Sequence, residues 1–431
     1  MTDNQHASDA PGTTPPAARY SVPRVLTSVP VMTLLFLVVI DLLLRLGNPV
    51  DALGFNSVDL WNLPPRIELC KRTSPDVALL GSSLFLVVSQ IEKERHYSSG
   101  DFPPYLQEQL RKATGRNITC INLCSGLQMP AEAYLIAQAI TDQIDHPRVI
   151  FWGLTLRDFI DGDFTREWTL TSFQSVAPFV PLKPDILNLM TSDSARREFV
   201  LCHFWFLYRN RTDFKSMFAA FVKDVLENFP LDQSFVRLGP DHQLRPQRYG
   251  FLWETWVPRK VEKFTEAMYR AHPGLVKQFE VRRQAGIYAR GSQETRTVQA
   301  RYLDGMIALC KERGIKLVLV NMPLSRELYQ YLPRGLNDVY RDYLLAVSQE
   351  HGLAFIDLFD DGRFANELFK DGVHLSYAGS RALVDRLVEE LQTKHAAVLA
   401  AMAEHAAARA RDPWRQARDE APYTLSSAPG R

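Results

Sequence analysis

From Asp76 onward the chain alternates short, almost wholly apolar runs with longer segments of helical spacing. The runs are DVALL (76–80), NITCINL (117–123), RVIFWGL (148–154), IKLVLVNM (315–322) and LAFIDLF (353–359). Runs of this length without strict alternation predict strands buried on both faces. Between them, PPYLQEQLRKATG (103–115) predicts a helix closed by Gly115, and PAEAYLIAQAITDQI (130–144) one opened by Pro130. Helical spacing returns over 297–314, over 338–352 and in AGSRALVDRLVEELQ, which Ala-rich HAAVLAAMAEHAAARARD (395–412) extends. Strands that alternate with helices pair in parallel, because parallel neighbours need crossovers, so the expected class is α/β.

Two regions break the rhythm. Residues 164–296 form an aromatic-rich insertion, larger than an ordinary loop, in which REFVLCHFWFLYRNR and FKSMFAAFVKDVLENF predict helices with apolar faces. YGFLWETWVPRK brings Trp253 and Trp256 close together, and His203, inside the first aromatic run, reads as a packed residue rather than a catalytic one. At the other break, VLTSVPVMTLLFLVVIDLLL (25–44) holds one charge, Asp41, and twenty helical residues suffice to cross a hydrocarbon layer of about 30 Å. A cleavable signal peptide and a buried core helix are the competing readings. Arg19 and Arg24 precede the span and Arg45 follows it, a bias toward an inside amino terminus and an extracytoplasmic main domain. The expected organisation is a disordered arm (1–24), a transmembrane helix (25–47), a linker (48–75), two halves of one α/β domain (76–163 and 297–394) around the insertion, and an Ala-rich helix with a disordered tail (395–431).

Composition narrows the function classes. Of 431 residues, 46% are apolar and 23% charged, enough for a substantial core. Fifty basic and forty-nine acidic residues leave a net charge of +1, which supplies no field for nucleic acid. The five cysteines form no CxxC pair and no Cys/His cluster of metal-ligand spacing, so no metal or cofactor is expected.

In parallel sheets chemistry gathers beyond the carboxyl ends of the strands. There stand Gly81-Ser82-Ser83 after the first strand, CSGLQMP with Gly126 after the second, WGLTLRDF after the third, and FKDGVHLSYAGS after the fifth. A serine nucleophile needs a base to take its proton and a carboxylate to orient the imidazole. Asp371 and His374 can supply both from one loop.

These blocks resemble the SGNH/GDSL hydrolase superfamily, which has its nucleophile in an early Gly-Asp-Ser-like block and its Asp and His in a late D-x-x-H block. LGSS matches the first with Ser82 in place of the usual Asp, and DGVHLSYAGS matches the last. The resemblance implies a flavodoxin-like three-layer sandwich, with Ser83 as nucleophile, His374 as base and Asp371 as orienting carboxylate. It also implies oxyanion donors at the Ser83 and Gly126 amides. WGLTLRD carries Thr155 where the family has asparagine, which leaves Thr155 or Arg157 to add a side-chain donor. Membrane-anchored SGNH-like proteins of cell-envelope modification, such as those of teichoic-acid D-alanylation and alginate acetylation, share such departures. The expected function is therefore a membrane-tethered serine esterase or O-acyltransferase without cofactor or metal. Its expected partners are the bilayer, an acylated carbohydrate or glycolipid and a membrane acyl-transfer partner. The alternative is a non-catalytic SGNH-like protein that binds glycan or an assembly partner.

Overall fold

The computed structural model describes residues 28–47, 63–89, 102–143, 145–164, 167, 170, 172–211, 214, 281–282, 284–289 and 291–411. The amino-terminal arm, FKSMFAAFVKDVLENF beyond Phe214, Trp253, Trp256 and the tail after Arg411 lie outside them. The chain divides into two compact units, one holding the apolar amino-terminal helix and the other residues 50–429.

That helix, α1 (Val29–Gly47), has 19 residues, a mean hydropathy of 2.3 and only 6% of its most apolar window buried. At about 1.5 Å per residue it spans roughly 28 Å, long and apolar enough to cross a membrane. It starts at Val29 because Pro30 is tolerated only in a first turn. Asp41 accepts from Arg45 one turn later at 2.8 Å, so the acid inside the apolar run carries its own counter-charge.

In the second unit, α2 (Leu63–Thr73) leads into β1 (Val77–Gly81), α3 (Ser83–Leu86), α4 (Pro104–Thr114) and β2 (Cys120–Asn122). Next come α5 (Pro130–Thr141), β3 (Val149–Leu154) and α6 (Arg157–Ile160). The insertion contributes α7 (Phe173–Val176), α8 (Pro184–Leu189), α9 (Asp193–Phe204) and α10 (Phe206–Arg209). The alternation then resumes with α11 (Gln293–Arg313), β4 (Lys316–Asn321), α12 (Arg326–Tyr329), α13 (Leu336–His351) and β5 (Ala354–Asp357), followed by α14 (Tyr377–Lys394) and α15 (Ala396–Ala410).

All five strands pair in parallel in the order β2-β1-β3-β4-β5, which keeps β1 between β2 and β3. This is an α/β fold with the strand order of a doubly wound open sheet. α4, α14 and α15 pack together as one group and α2, α5 and α11 as another, as right-handed crossovers to either side of β1 require. β1, β2 and β3 are buried along their whole length, which is why their sequences read as unbroken apolar runs.

Two expected boundaries are corrected. Within the 48–75 linker, residues 63–73 form α2, whose Leu63, Ile67, Leu69 and Cys70 join the core. The Pro-Pro pair at 64–65 fits a helix start, where a missing N–H costs nothing. At the other end, α15 does not prolong α14. The chain turns at His395 (φ −128°, ψ 41°), and α15 packs Val398, Leu399 and Met402 into the core. Residues 396–410 therefore belong to the domain rather than to a tail.

A fully buried carboxylate fastens α15. Asp76 accepts from the Thr119 amide at 2.7 Å and hydroxyl at 3.0 Å, while His405 Nδ1 lies 2.8 Å and Arg409 Nη2 3.0 Å from it. Arg409 also donates to Thr119 Oγ1 and to Asn117 O. Removing one partner of a buried charge pair strands the other in low dielectric. Asp76→Ala is expected to cost about 3–5 kcal/mol of unfolding free energy in urea titration.

Candidate active site

Residues after β1, β2, β3 and β5 meet at the carboxyl edge of the sheet. Gly81 ends β1 at φ +139°, and a Cβ there would stand 2.6 Å from Gly153 O on the neighbouring strand. Only glycine permits this exit. Ser82 then caps α3, and Ser83 is its first residue.

The Asp371–His374 loop is tied back on itself. Phe369 bridges Leu375, Lys370 N donates to His374 O at 2.8 Å, and Ser376 N donates to Leu368 O at 2.7 Å. Gly379 in the first turn of α14 admits this closure, because a Cβ there would collide with Leu368 O. Asp371 Oδ1 accepts from the Val373 and His374 amides at 2.8 and 2.7 Å, which leaves Oδ2 for the ring.

His374 Nδ1 lies 2.8 Å from Asp371 Oδ2, and His374 Nε2 lies 2.8 Å from Ser83 Oγ. Ser83, His374 and Asp371 thus form one continuous hydrogen-bonded chain. Burial works against the Asp371 charge, but hydrogen bonds from the His374 ring and from the His374 and Val373 amides outweigh it and hold the carboxyl below its ordinary range. Cys124, nearby after β2, is no rival nucleophile: burial drives its thiol far above the range in which a thiolate forms.

No family model matches the chain, and no curated protein matches it.

The residues expected to bind an oxyanion stand on three adjacent loops. Ser125 N donates to Gly81 O at 3.1 Å, which extends the β1–β2 ladder and sets the buried Gly126 beside the residues leaving β1. Leu127 completes this turn at φ 59°, 41% exposed, a backbone state that costs a leucine about 1–2 kcal/mol. Thr155 follows β3, whose Gly153 pairs with Gly81. Its amide is committed to Asp158 Oδ2 at 2.9 Å, so only the side chain is left to act as a donor. Thr155 Oγ1 is buried close to the Asp158 carboxylate without a hydrogen bond of proper geometry. Arg157 gives Nη2 to Asp158 Oδ1 at 3.1 Å, and its Nε is buried without an acceptor. Desolvation nonetheless pushes the Asp158 carboxyl up.

Sequence reasoning missed three buried polar side chains that align these loops. Gln128 accepts from Gly81 N at 2.6 Å and donates to Leu123 O at 2.9 Å and Ser125 Oγ at 3.1 Å, stapling the β1 exit to the β2 exit. Asn122 donates to Ser89 Oγ at 2.6 Å and Leu86 O at 3.3 Å and accepts from Cys124 N at 2.9 Å. Arg66 on α2 donates twice to Cys124 O, at 3.1 and 2.8 Å. Asn and Gln flanking an apolar strand are the available signal, but it does not say which backbone groups they meet. His203 behaves as expected, with Nδ1 2.8 Å from Phe199 O, Nε2 2.7 Å from Val180 O, and its ring packed on Phe199.

Gln128→Leu keeps the volume and strands the buried Gly81 N–H, so it is expected to lower stability by about 1–3 kcal/mol in denaturant titration. A pH series tests Asp371. Its folded pKa lies below the unfolded value of about 3.9, so its contribution is complete above that value and is lost as pH falls through the folded pKa. The stability gap between wild type and Asp371→Asn should therefore be widest near neutrality and close below about pH 4.

Proposed function

We propose that the chain is a membrane-tethered serine enzyme of SGNH type that cleaves or transfers the acyl group of an O-linked ester on an envelope glycan or glycolipid. The observation that carries this reading is the pair of 2.8 Å contacts joining Ser83 Oγ, the two His374 nitrogens and Asp371 Oδ2. In the proposed step Ser83 Oγ attacks the ester carbonyl and His374 Nε2 takes its proton. The Nδ1 proton stays on the ring, held by Asp371. Backbone amides of Ser83 and Gly126, with Thr155 Oγ1, are the proposed donors to the oxyanion. Collapse of the tetrahedral intermediate breaks the ester bond, and His374 returns the proton to the leaving alcohol. The acyl-serine is then taken by water or by a sugar hydroxyl that His374 deprotonates. A tether and an aromatic-rich insertion favour the sugar as acceptor, with Trp253 and Trp256 as the candidate aromatic wall.

The non-catalytic alternative rests on Thr155, which stands in place of the asparagine donor of the superfamily. A fluorophosphonate probe separates the two readings: covalent labelling that disappears in Ser83→Ala and falls by about 10⁴ in rate in Asp371→Asn is expected of the enzyme. Absence of labelling in wild type would leave the binding protein. The domain is proposed to face the extracytoplasmic side, so protease added to intact spheroplasts should digest it; full protection until lysis would reverse the orientation.

A further inference from the structure

The first turns of α4 and α14 meet beside the His374 loop. Tyr377, the first residue of α14, is three residues beyond His374 and 46% exposed, and Tyr105 stands in the first turn of α4, which packs against α14. Arg381 joins them: its guanidinium lies 4.1 Å from the centre of the Tyr105 ring and 6.0 Å from that of Tyr377, and Nη1 donates to Tyr377 Oη at 3.3 Å. Asp385, one turn further along α14, takes the Tyr105 hydroxyl at 2.6 Å instead of the guanidinium.

The charge balance sets Arg381 apart. Arg363 and Arg386, in the same region, are neutralised by Glu389, Asp361 and Glu390. Among the described residues no carboxylate lies within salt-bridge distance of Arg381, which is exposed. A guanidinium ordered by two tyrosines but left without a counter-anion is a recognition element for a planar or tetrahedral anion. Exposed tyrosine beside it offers an amphipathic surface that suits the mixed C–H and O–H faces of a sugar.

We propose that Tyr105, Tyr377 and Arg381 form a subsite for an anionic sugar or polyol unit of the acyl acceptor. The role as acceptor subsite rests on the acyl-serine reading of the neighbouring triad; the binding itself does not. The anion is a uronic-acid carboxylate or a phosphodiester, which present the same charge to the same guanidinium.

Isothermal titration of the detergent-solubilised full chain, in a Ser83→Ala background that prevents turnover, tests the proposal. The probes are trigalacturonate, a glycerol-phosphate oligomer and neutral maltotriose. At least one anionic probe should bind, more weakly as salt rises, and Arg381→Gln should weaken it by about 10- to 100-fold. Tyr377→Ala, a second exposed change, should weaken it too. Trigalacturonate binding alone identifies a carboxylate, the phosphate oligomer alone a phosphodiester, and both together recognition by charge. No binding of either anion, equal binding of maltotriose, or an affinity indifferent to Arg381→Gln would overturn the subsite. Fluorophosphonate labelling of the Ser83 protein keeps the two readings separable. Anion binding without labelling removes the catalytic reading and leaves the subsite, whereas labelling without anion binding removes the subsite alone.

Discussion

Parallel pairing of β1 between β2 and β3 is the constraint on which the rest of the structure depends. Parallel strands bring every carboxyl end to one edge of the sheet, so the loops after β1, β2 and β3 are neighbours by construction. The segment after β5 returns to that edge from the far side, and the result is a contact between Ser83 and His374 across 291 residues of sequence. Closing such a separation carries a loop-entropy cost, which the buried sheet and its two helical groups offset as a whole. The triad is thus a consequence of topology, with no local sequence signal linking its halves.

Polar groups at the two ends of the sheet are handled differently. At the amino edge Asp76 is fully buried and all its partners are in place, an arrangement that fixes α15 and leaves nothing for a ligand. At the carboxyl edge the His374 and Asp371 side chains remain 33% and 15% exposed, and Ser83 is open to the same side. Beneath them Gln128 and Asn122 use their amides to hold backbone groups that the ended strands no longer pair. Buried amides of this kind specify the relative height of two loops more tightly than apolar packing could, since a displacement would break several directional bonds at once. Leu127, held at positive φ between these bonds, is strain tolerated within that rigid frame.

The sequence by itself determined the α/β class and the five strands. Each apolar run lies where a strand lies, because a strand covered on both faces must be apolar at consecutive positions, and that pattern is local. Likewise Gly115 and Gly314 sit at left-handed helix ends, which only their own backbone freedom explains. The triad residues were legible as types, since Asp and His three apart after a strand can reach one another within a single loop.

Only the tertiary structure decided which side chains those loops meet. LPPRIELCKRT reads as a linker because prolines and charges dominate it, yet α2 has one apolar stripe, and Arg66 finds the Cys124 carbonyl 58 residues away. The Ala-rich segment reads as an extension of α14 because nothing in its composition marks a break. Its turn at His395 is imposed by the partners waiting for His405 and Arg409 at the sheet edge. Thr155, too, is only a substituted asparagine in the sequence, whereas in the fold its amide is consumed by Asp158. Propensity and periodicity are properties of neighbours along the chain, while hydrogen-bond satisfaction and charge compensation belong to neighbours in space, and those are fixed only once the sheet has formed.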